Sequence, residues 1–274
     1  MKRVPAAAKI NLALLVGPVR EDGLHEIVTV MQRIDLCDSV ELEPADRLAV
    51  EGFKKDTLVR TALSTLAAAA GAEPRWRVRL RKRIPLAAGL GGGSADAAAA
   101  LALANPSLEH PLDATHLLDV AAGIGADVPF FLEPGPKLAE GGGERLTGLE
   151  LPQDFWIVVA LPRRTHKTST ADVYARFDAI SGAAGFVERR ATLTEALAAV
   201  RRPRDFAAFP PNDLAEAAGR PRLVGQLLES GAFRADVSGA GPAIYGLFHH
   251  LGDAKGAARG LRLAARTWVV APVW

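Results

Sequence analysis

The run PLAAGLGGGSADAAAALALA, from Pro85 to Ala104, restricts the possible folds of this chain more than any other feature. Four of the six residues in GLGGGS lack a side chain, so the backbone can approach an anion closely and point successive N–H groups at it. The alanine-rich continuation predicts a helix with Ser94 as its N-cap, and the positive end of a helix attracts phosphate. The sequence therefore predicts a phosphate-binding loop, with a flexible glycine turn as the alternative.

The segment before this loop alternates as a half-buried strand does. Trp76, Val78 and Leu80 share one face, and the other face carries arginines: Arg75, Arg77, Arg79, Arg81 and Arg83. A solvated outer face is the ordinary explanation of such a row, and anion binding is the alternative. Pro85 ends the strand because proline lacks the N–H that sheet pairing needs.

Two other glycine motifs do not fit this loop. A Walker A loop ends in Gly-Lys-Ser/Thr, and no lysine occurs between Pro85 and Asn105. A dinucleotide fingerprint would need glycine at position 94, where the chain has Ser94. The residues predicted to form the phosphate-binding loop are Pro85, Leu86, Ala87, Ala88, Gly89, Leu90, Gly91, Gly92, Gly93, Ser94 and Ala95.

Composition narrows the class of protein. The chain of 274 residues has 33 basic and 31 acidic residues, so no global charge favours nucleic acid or a membrane surface as partner. The single cysteine, Cys37, cannot form an internal disulfide, and no apolar run approaches the roughly 20 residues of a membrane span. We therefore expect a cytoplasmic protein with a small-molecule partner, as a monomer or weak homodimer.

The order of elements predicts an α+β protein with two domains, residues 1–150 and 151–274. Helices are expected at Leu58–Ala70 and after Asp113, and FWIVVALP begins a new pattern beyond the glycine-broken stretch 140–152. Further helices are expected at 169–180, 192–202 and 222–230, followed by strand, SGAGP turn, strand, helix and strand. This order predicts an antiparallel α+β sandwich at the C-terminal end.

Several motifs follow one another in the order seen in GHMP kinases: PAAAKINLAL, DGLHEIVTV, PLAAGLGGGSADAAA, GADVPFF, GGGERL, PPNDL and SGAGP. The chain resembles this family over essentially its whole length, and the combination is far more specific than any one motif. The resemblance implies an N-terminal domain like ribosomal protein S5 and a ferredoxin-like C-terminal domain. It also implies ATP and Mg²⁺ as cofactors.

Within the family the motifs match best the members that phosphorylate the 2-hydroxyl of 4-diphosphocytidyl-2-C-methyl-D-erythritol in the non-mevalonate route to isoprenoids. Asp127, in GADVPFF, matches the catalytic base, and Lys9, in AKINL, matches the second catalytic position. A helix or turn cap is the alternative role for Asp127, and a surface position is the alternative for Lys9. The odd-numbered face of the strand that carries Lys9 also carries Asn11.

The resemblance places substrate contacts at Asn11, His25, Thr170 and Tyr174, with the Tyr174 ring against the cytosine. A tyrosine that faces the core is the alternative for Tyr174. No spacing identifies the magnesium ligands, and Ser94 is the one candidate.

The sequence departs from the family pattern at four positions. Leu24 replaces the tyrosine that forms the other wall of the cytosine sandwich, which predicts binding weaker by about 1 kcal/mol. Thr57 replaces an asparagine on the adenine side, and alanines replace serines in two glycine segments, as Ala95 and Ala240. Three alternatives stay open. The first is another GHMP kinase, of homoserine or mevalonate type; the second is a catalytically silent nucleotide-binding protein; the third is a dinucleotide-dependent oxidoreductase.

Overall fold

The computed structural model of the protein describes residues 2–54, 56–163, 169–219 and 222–274. The chain divides into two compact units. The first unit comprises Met1–Ala8, Leu36–Leu86 and Gly91–Pro134; the second comprises Lys9–Asp35, Ala87–Leu90 and Gly135–Trp274. The predicted boundary near residue 150 stays a prediction.

Strands and helices occur along the chain mostly in runs of two or three. The strands are β1 Lys2–Val19, β2 His25–Pro44, β3 Ala49–Glu51, β4 Trp76–Arg81, β5 Lys137–Gly141, β6 Arg145–Gly148, β7 Trp156–Pro162, β8 Arg234–Val237, β9 Ile244–Phe248, β10 Ala265–Val270 and β11 Pro272–Val273. The helices are α1 Leu58–Ala69, α2 Gly92–Ala104, α3 Ala114–Ile124, α4 Val128–Leu132, α5 Thr170–Ala179, α6 Phe186–Ala199, α7 Arg222–Glu229 and α8 Leu251–Leu261. None of the helices in these described ranges is both long and apolar enough to cross a membrane.

In the first unit, β4 pairs with the C-terminal half of β2 in antiparallel register and with β3 in parallel register. The predicted alternation of β4 is confirmed: Trp76, Val78 and Leu80 are buried, and the intervening arginines are exposed. The buried face packs against apolar residues of α1 and α2 in one core. Asp113 caps α3 as predicted, since its side chain accepts from the His116 N–H.

Helix α2 begins earlier than the sequence suggested. Gly91 occupies the N-cap position with φ of +67°, a left-handed conformation that glycine adopts without steric cost. Ser94 therefore lies in the first turn of α2, and the prediction that it is the N-cap is wrong. A Cβ on Gly93 would lie 2.9 Å from the Leu58 side chain, so the glycines let α1 and the start of α2 approach closely.

In the second unit, β10, β7, β9 and β8 form an antiparallel sheet in that order, which confirms the predicted antiparallel α+β arrangement. Residues of α7 and α8 join this sheet in one hydrophobic core. Helix α6 begins at Phe186, not near Thr192, because Gly185 takes a left-handed conformation (φ +71°) and Phe186 is buried. The N-terminal half of β2 pairs with β5 in the same unit.

Candidate active site

A buried polar chain runs across β1 and β2 in the second unit. The Lys9 Nζ donates to Asn11 Oδ1 over 2.7 Å, and the Asn11 amide donates to Thr29 Oγ1 over 2.7 Å. The Thr29 hydroxyl in turn donates to the Ala13 carbonyl. Lys9 and Asn11 are 5% and 3% exposed, so Lys9 is not a surface lysine and shares a face with Asn11, as the alternation predicts.

The middle of the glycine loop, Ala87–Leu90, is fixed by hydrogen bonds within the second unit. The Lys9 N–H donates to the Leu90 carbonyl over 3.0 Å, and the Ser238 hydroxyl donates to the Gly89 carbonyl over 2.9 Å. The Ala243 N–H donates to the Ala88 carbonyl over 3.0 Å. This segment is therefore not a loose turn.

Within the glycine loop, Gly89 is the position where a side chain would clash most closely. Its φ is +78°, and a Cβ would lie 2.1 Å from the Ser238 carbonyl oxygen. The turn that contains Ser238 also brings Gly239 near β1, because a Cβ on Gly239 would lie 3.6 Å from Asn11 Oδ1. The SGAGP turn thus packs on both the loop segment and the strand that carries Lys9.

Asn212, in the PPNDL motif, holds this turn, a role that was not predicted from the sequence. Its side-chain amide donates to the carbonyls of Val237 and Gly239, over 2.9 and 2.7 Å. The neighbouring Asp213 accepts from the Val16 N–H of β1, and burial raises the pKa of this carboxyl although Val16 and Arg189 act in the opposite direction. The motif therefore ties the turn to β1.

In the first unit, a buried ion cluster lies beside the residues that precede Pro85 and beside the start of α2. The Lys82 ammonium bonds to the carboxylates of Asp38 and Asp96, the latter over 2.5 Å. Asp38 also accepts from the N–H groups of Arg83 and Ile84, just before Pro85. Asp96 belongs to α2, so Lys82 links the end of β4 to the helix that follows the glycines.

The cluster holds two carboxylates and one ammonium, and this ratio affects the pKa values of Asp96 and Lys82. Burial raises the pKa of Asp96 to about 7, against the opposing effect of Lys82 and with added repulsion from Asp38. Burial disfavours the charged form of Lys82, yet the two carboxylates outweigh it and raise its pKa. Within the described residues, Asp96 Oδ1 is buried without a hydrogen-bond partner.

Asp127 lies in the first unit at the N-cap position of α4. Its side chain makes no capping hydrogen bond to the described backbone of this helix, and its backbone has helical φ and ψ of −83° and −12°. The turn before it is closed by the Val128 N–H, which donates to the Gly125 carbonyl over 2.9 Å. Capping of helix α4 therefore does not account for the carboxylate.

His25 and Tyr174 meet in the second unit. Their ring centroids are 5.1 Å apart, and Phe177 contacts the same imidazole edge-on at 5.9 Å. The His25 Nδ1–H donates to the Gly17 carbonyl over 2.8 Å, which fixes the ring. Tyr174 is half-buried beside an apolar cluster that includes Phe177. Thr170 is exposed at the first residue of α5, about one helical turn before Tyr174, and its role as a substrate contact stays a prediction.

The four departures from the family pattern lie in different surroundings. Leu24 is 58% exposed in the turn before His25, and Thr57 is exposed at the N-cap position of α1. Ala95 is buried in α2, whereas Ala240 is half-buried beside the apolar cluster around Phe177. Among the described residues, no group of three or more His, Cys, Asp or Glu side chains is placed to hold a metal.

Residues 57–135 match the GHMP kinases N terminal domain, and residues 221–266 match the GHMP kinases C terminal domain. A crystal structure of 4-(cytidine 5'-diphospho)-2C-methyl-D-erythritol kinase, 33% identical in sequence, covers all of both chains with a TM-score of 0.81. A mevalonate kinase structure with 13% identity and a TM-score of 0.77 shares the fold. The fold and these matches define a small-molecule kinase of the GHMP class, and the expected two-domain GHMP fold is confirmed.

Relatives with the same name resemble the chain over nearly its whole length. The 4-diphosphocytidyl-2-C-methyl-D-erythritol kinase of Anaeromyxobacter sp. (strain Fw109-5) is 36% identical over 93% of this chain and 84% of the relative. That of Geobacter sulfurreducens is 36% identical over 98% of this chain and 96% of the relative. The chain belongs to the 4-diphosphocytidyl-2-C-methyl-D-erythritol kinase family.

Proposed function

We propose that the protein transfers the γ-phosphate of ATP to the 2-hydroxyl of 4-diphosphocytidyl-2-C-methyl-D-erythritol, a step of the non-mevalonate route to isoprenoids. The observation that carries this proposal is the full-length similarity to kinases named for this substrate. The buried Lys9–Asn11 contact and the rigid glycine segment support it, because phosphoryl transfer depends on fixed positive charge and fixed N–H donors.

In the proposed reaction, Asp127 accepts the proton of the substrate hydroxyl while the hydroxyl oxygen forms a bond to the γ-phosphorus. The bond from that phosphorus to the bridging oxygen breaks, and ADP leaves with the electron pair. The Lys9 ammonium stabilises negative charge that develops during transfer. N–H groups from Gly89 to Ser94 bind the phosphates of ATP, with Pro85–Ala95 as the ATP-binding loop.

Asn11, His25, Thr170 and Tyr174 are proposed to bind the cytidine diphosphate part of the substrate. The contact between His25 and Tyr174 supports this, because an aromatic pair with fixed orientation offers a surface on which a base can stack. Exposed Thr170 lies at the N-terminus of α5, which also carries Tyr174.

Magnesium is proposed to enter with ATP. Mg²⁺ commonly keeps several waters and needs only one or two protein oxygens besides the phosphates, so a site without a large carboxylate cluster suits it. The Ser94 hydroxyl, in the first turn of α2, is the hard oxygen that we propose as a ligand. When bound, the ion would neutralise charge on the phosphates.

We also propose that the enzyme works in the cytoplasm as a monomer or weak homodimer, without nucleic acid or membrane. The near balance of 33 basic and 31 acidic residues and the single cysteine support this.

A coupled ADP-release assay tests the reaction, with ATP, magnesium and 4-diphosphocytidyl-2-C-methyl-D-erythritol. Homoserine and mevalonate are the control acceptors, and Asp127→Asn and Lys9→Met are the control variants. Substrate-dependent ADP release that both variants lose is the expected result. Turnover with a control acceptor alone would assign another GHMP kinase activity, and no turnover with any acceptor would assign a nucleotide-binding protein.

A further inference from the structure

A cavity lined by arginines lies on the first unit, on the face of β4 opposite the helical core. It has a volume of about 380 Å³ and is lined by Arg3, Val4, Pro5, Cys37, Asp38, Ser39, Arg81 and Arg83. Arg81 stands on the exposed face of β4, whereas the next residue, Lys82, bonds to Asp96 of α2. The cavity shares Asp38 with the ion cluster beside the glycine loop, whereas its three arginines do not belong to that cluster.

Within β4, the two arginines nearer the N-terminal end are neutralised. Arg77 and Arg79 lie within 3.6 Å of Glu43 and Glu51 oxygens, which gives two carboxylates for two guanidinium groups. These four side chains form a balanced surface network. The structure thus explains this end of the row as an ordinary solvated face.

The other end carries a surplus of positive charge. Arg3 and Arg81 share one carboxylate, Glu41, at 3.6 and 3.8 Å. Within the described part of the chain, Arg83 makes no ion pair. The Asp38 carboxylate also lines the cavity, where it accepts from Lys82 and from two backbone N–H groups. The lining therefore holds three guanidinium groups and one carboxylate, that of Asp38, which already bonds to Lys82.

The geometry suits an anion with oxygen acceptors. Ser39 faces Arg81 across the β2–β4 ladder, and the Arg3 Nε donates to the Ser39 Oγ over 2.8 Å. The Ser39 hydroxyl proton is then directed away from Arg3 and can serve a ligand. Guanidinium groups bind phosphates through paired N–H donors, and a cavity of this volume is in the range of small-molecule sites.

We propose that this cavity is a binding site for a small anion with at least two phosphate groups, separate from the ATP loop. Three guanidinium groups and one hydroxyl exceed what a single phosphate needs. Inorganic diphosphate is the simplest member of this class and is the probe. The proposal does not rest on the phosphorylation reaction, because the cavity uses none of the residues assigned to it.

Cys37 provides a local readout, since it lines the cavity and is the single cysteine of the chain. The rate at which iodoacetamide alkylates Cys37 is measured against increasing diphosphate, at low and at high salt. We expect saturable protection in the wild-type protein that weakens at high salt. In Arg81→Gln/Arg83→Gln the concentration for half protection should rise at least tenfold. Arg77→Gln, on the same strand and face, is the matched control and should behave as wild type.

Calorimetric titration with diphosphate gives an independent measurement that does not depend on thiol reactivity. The binding event should weaken at least tenfold in Arg81→Gln/Arg83→Gln and persist in Arg77→Gln, with unchanged thermal unfolding in both. Inorganic sulfate should bind more weakly than diphosphate. Equal binding of diphosphate by the double variant and the wild type, or equal loss in Arg77→Gln, would overturn the proposal.

Discussion

The Lys9 ammonium and the Asn11 amide oxygen lie 2.7 Å apart, both buried on one face of β1. Asn11 is itself held by Thr29, so the amide cannot rotate without losing a second hydrogen bond. A buried lysine fixed in this way holds its charge at a defined position. The protein therefore needs to rearrange less when negative charge develops during the reaction.

Replacement of Asn11 tests this arrangement. Asn11→Ala removes a hydrogen bond to a charged group, worth about 1.5–3 kcal/mol, and we expect kcat to fall roughly 10- to 100-fold. Thr29→Val, which removes the outer bond only, should have a smaller effect. Steady-state kinetics with saturating ATP measure both variants. A kcat for Asn11→Ala within twofold of wild type would show that Lys9 does not depend on this amide.

Gly89 is predicted to tolerate no side chain. Gly89→Ala places a Cβ against the Ser238 carbonyl oxygen at a backbone conformation that alanine disfavours. We expect a rise in KM for ATP of at least tenfold, together with a lower free energy of unfolding. Urea unfolding and ATP-dependent kinetics measure the two effects.

Gly71→Ala is the matched control for that substitution. Gly71 has φ of +63° and nothing within 4 Å of an added Cβ, so it isolates the conformational cost of about 1–2 kcal/mol. The KM for ATP should stay unchanged in Gly71→Ala. Equal effects of the two substitutions would remove the argument for close packing at Gly89.

Leu24→Tyr tests the proposed cytosine site, in which Leu24 stands where the family pattern has a tyrosine. Leu24 is exposed in the turn next to His25, so a tyrosine fits without repacking a core. We expect the KM for the cytidine diphosphate substrate to fall about fivefold, in line with about 1 kcal/mol of stacking, and the KM for ATP to stay unchanged. An unchanged substrate KM would show that leucine covers the base as well as tyrosine does.

Much of the fold follows from local pattern. The alternation of β4, the cap at Asp113 and the element order of the C-terminal sheet depend on residues close in sequence, and all three were predictable. The start of α2 was not predictable from local pattern. Gly91 can lie either outside the helix or at its N-cap, and only its backbone conformation in the structure shows that it is the N-cap.

The ion cluster of Asp38, Lys82 and Asp96 was not predicted from the sequence, for a different reason. Its members come from three elements, and only the packed chain brings them together. One signal was present in the sequence: Asp96 stands in an alanine-rich helix that is buried on most sides, where an isolated carboxylate needs a partner. The identity of that partner required the structure.

Removal of the central ammonium should destabilise the first unit strongly. Lys82→Met leaves two buried carboxylates side by side, and we expect the free energy of unfolding to fall by about 3–5 kcal/mol at pH 8. Lys82→Met/Asp96→Asn removes one charge of each sign and should recover part of that loss. Urea unfolding of the wild type, both single variants and the double variant gives the coupling energy. Additive single effects would show that Lys82 and Asp96 do not interact.

The raised pKa of Asp96 predicts a specific dependence of stability on pH. Its value of about 7 exceeds the ordinary 3.8, so between these limits the folded protein holds a proton that the unfolded chain releases. Wild-type stability should therefore fall as pH rises from 5 toward 7 and level off above it. Asp96→Asn cannot titrate, and other groups cancel in the comparison. We expect the wild type to lose about 3 kcal/mol relative to Asp96→Asn between pH 5 and pH 8, measured by urea unfolding. A constant difference would mean that Asp96 stays ionised, with Lys82 fully compensating its burial.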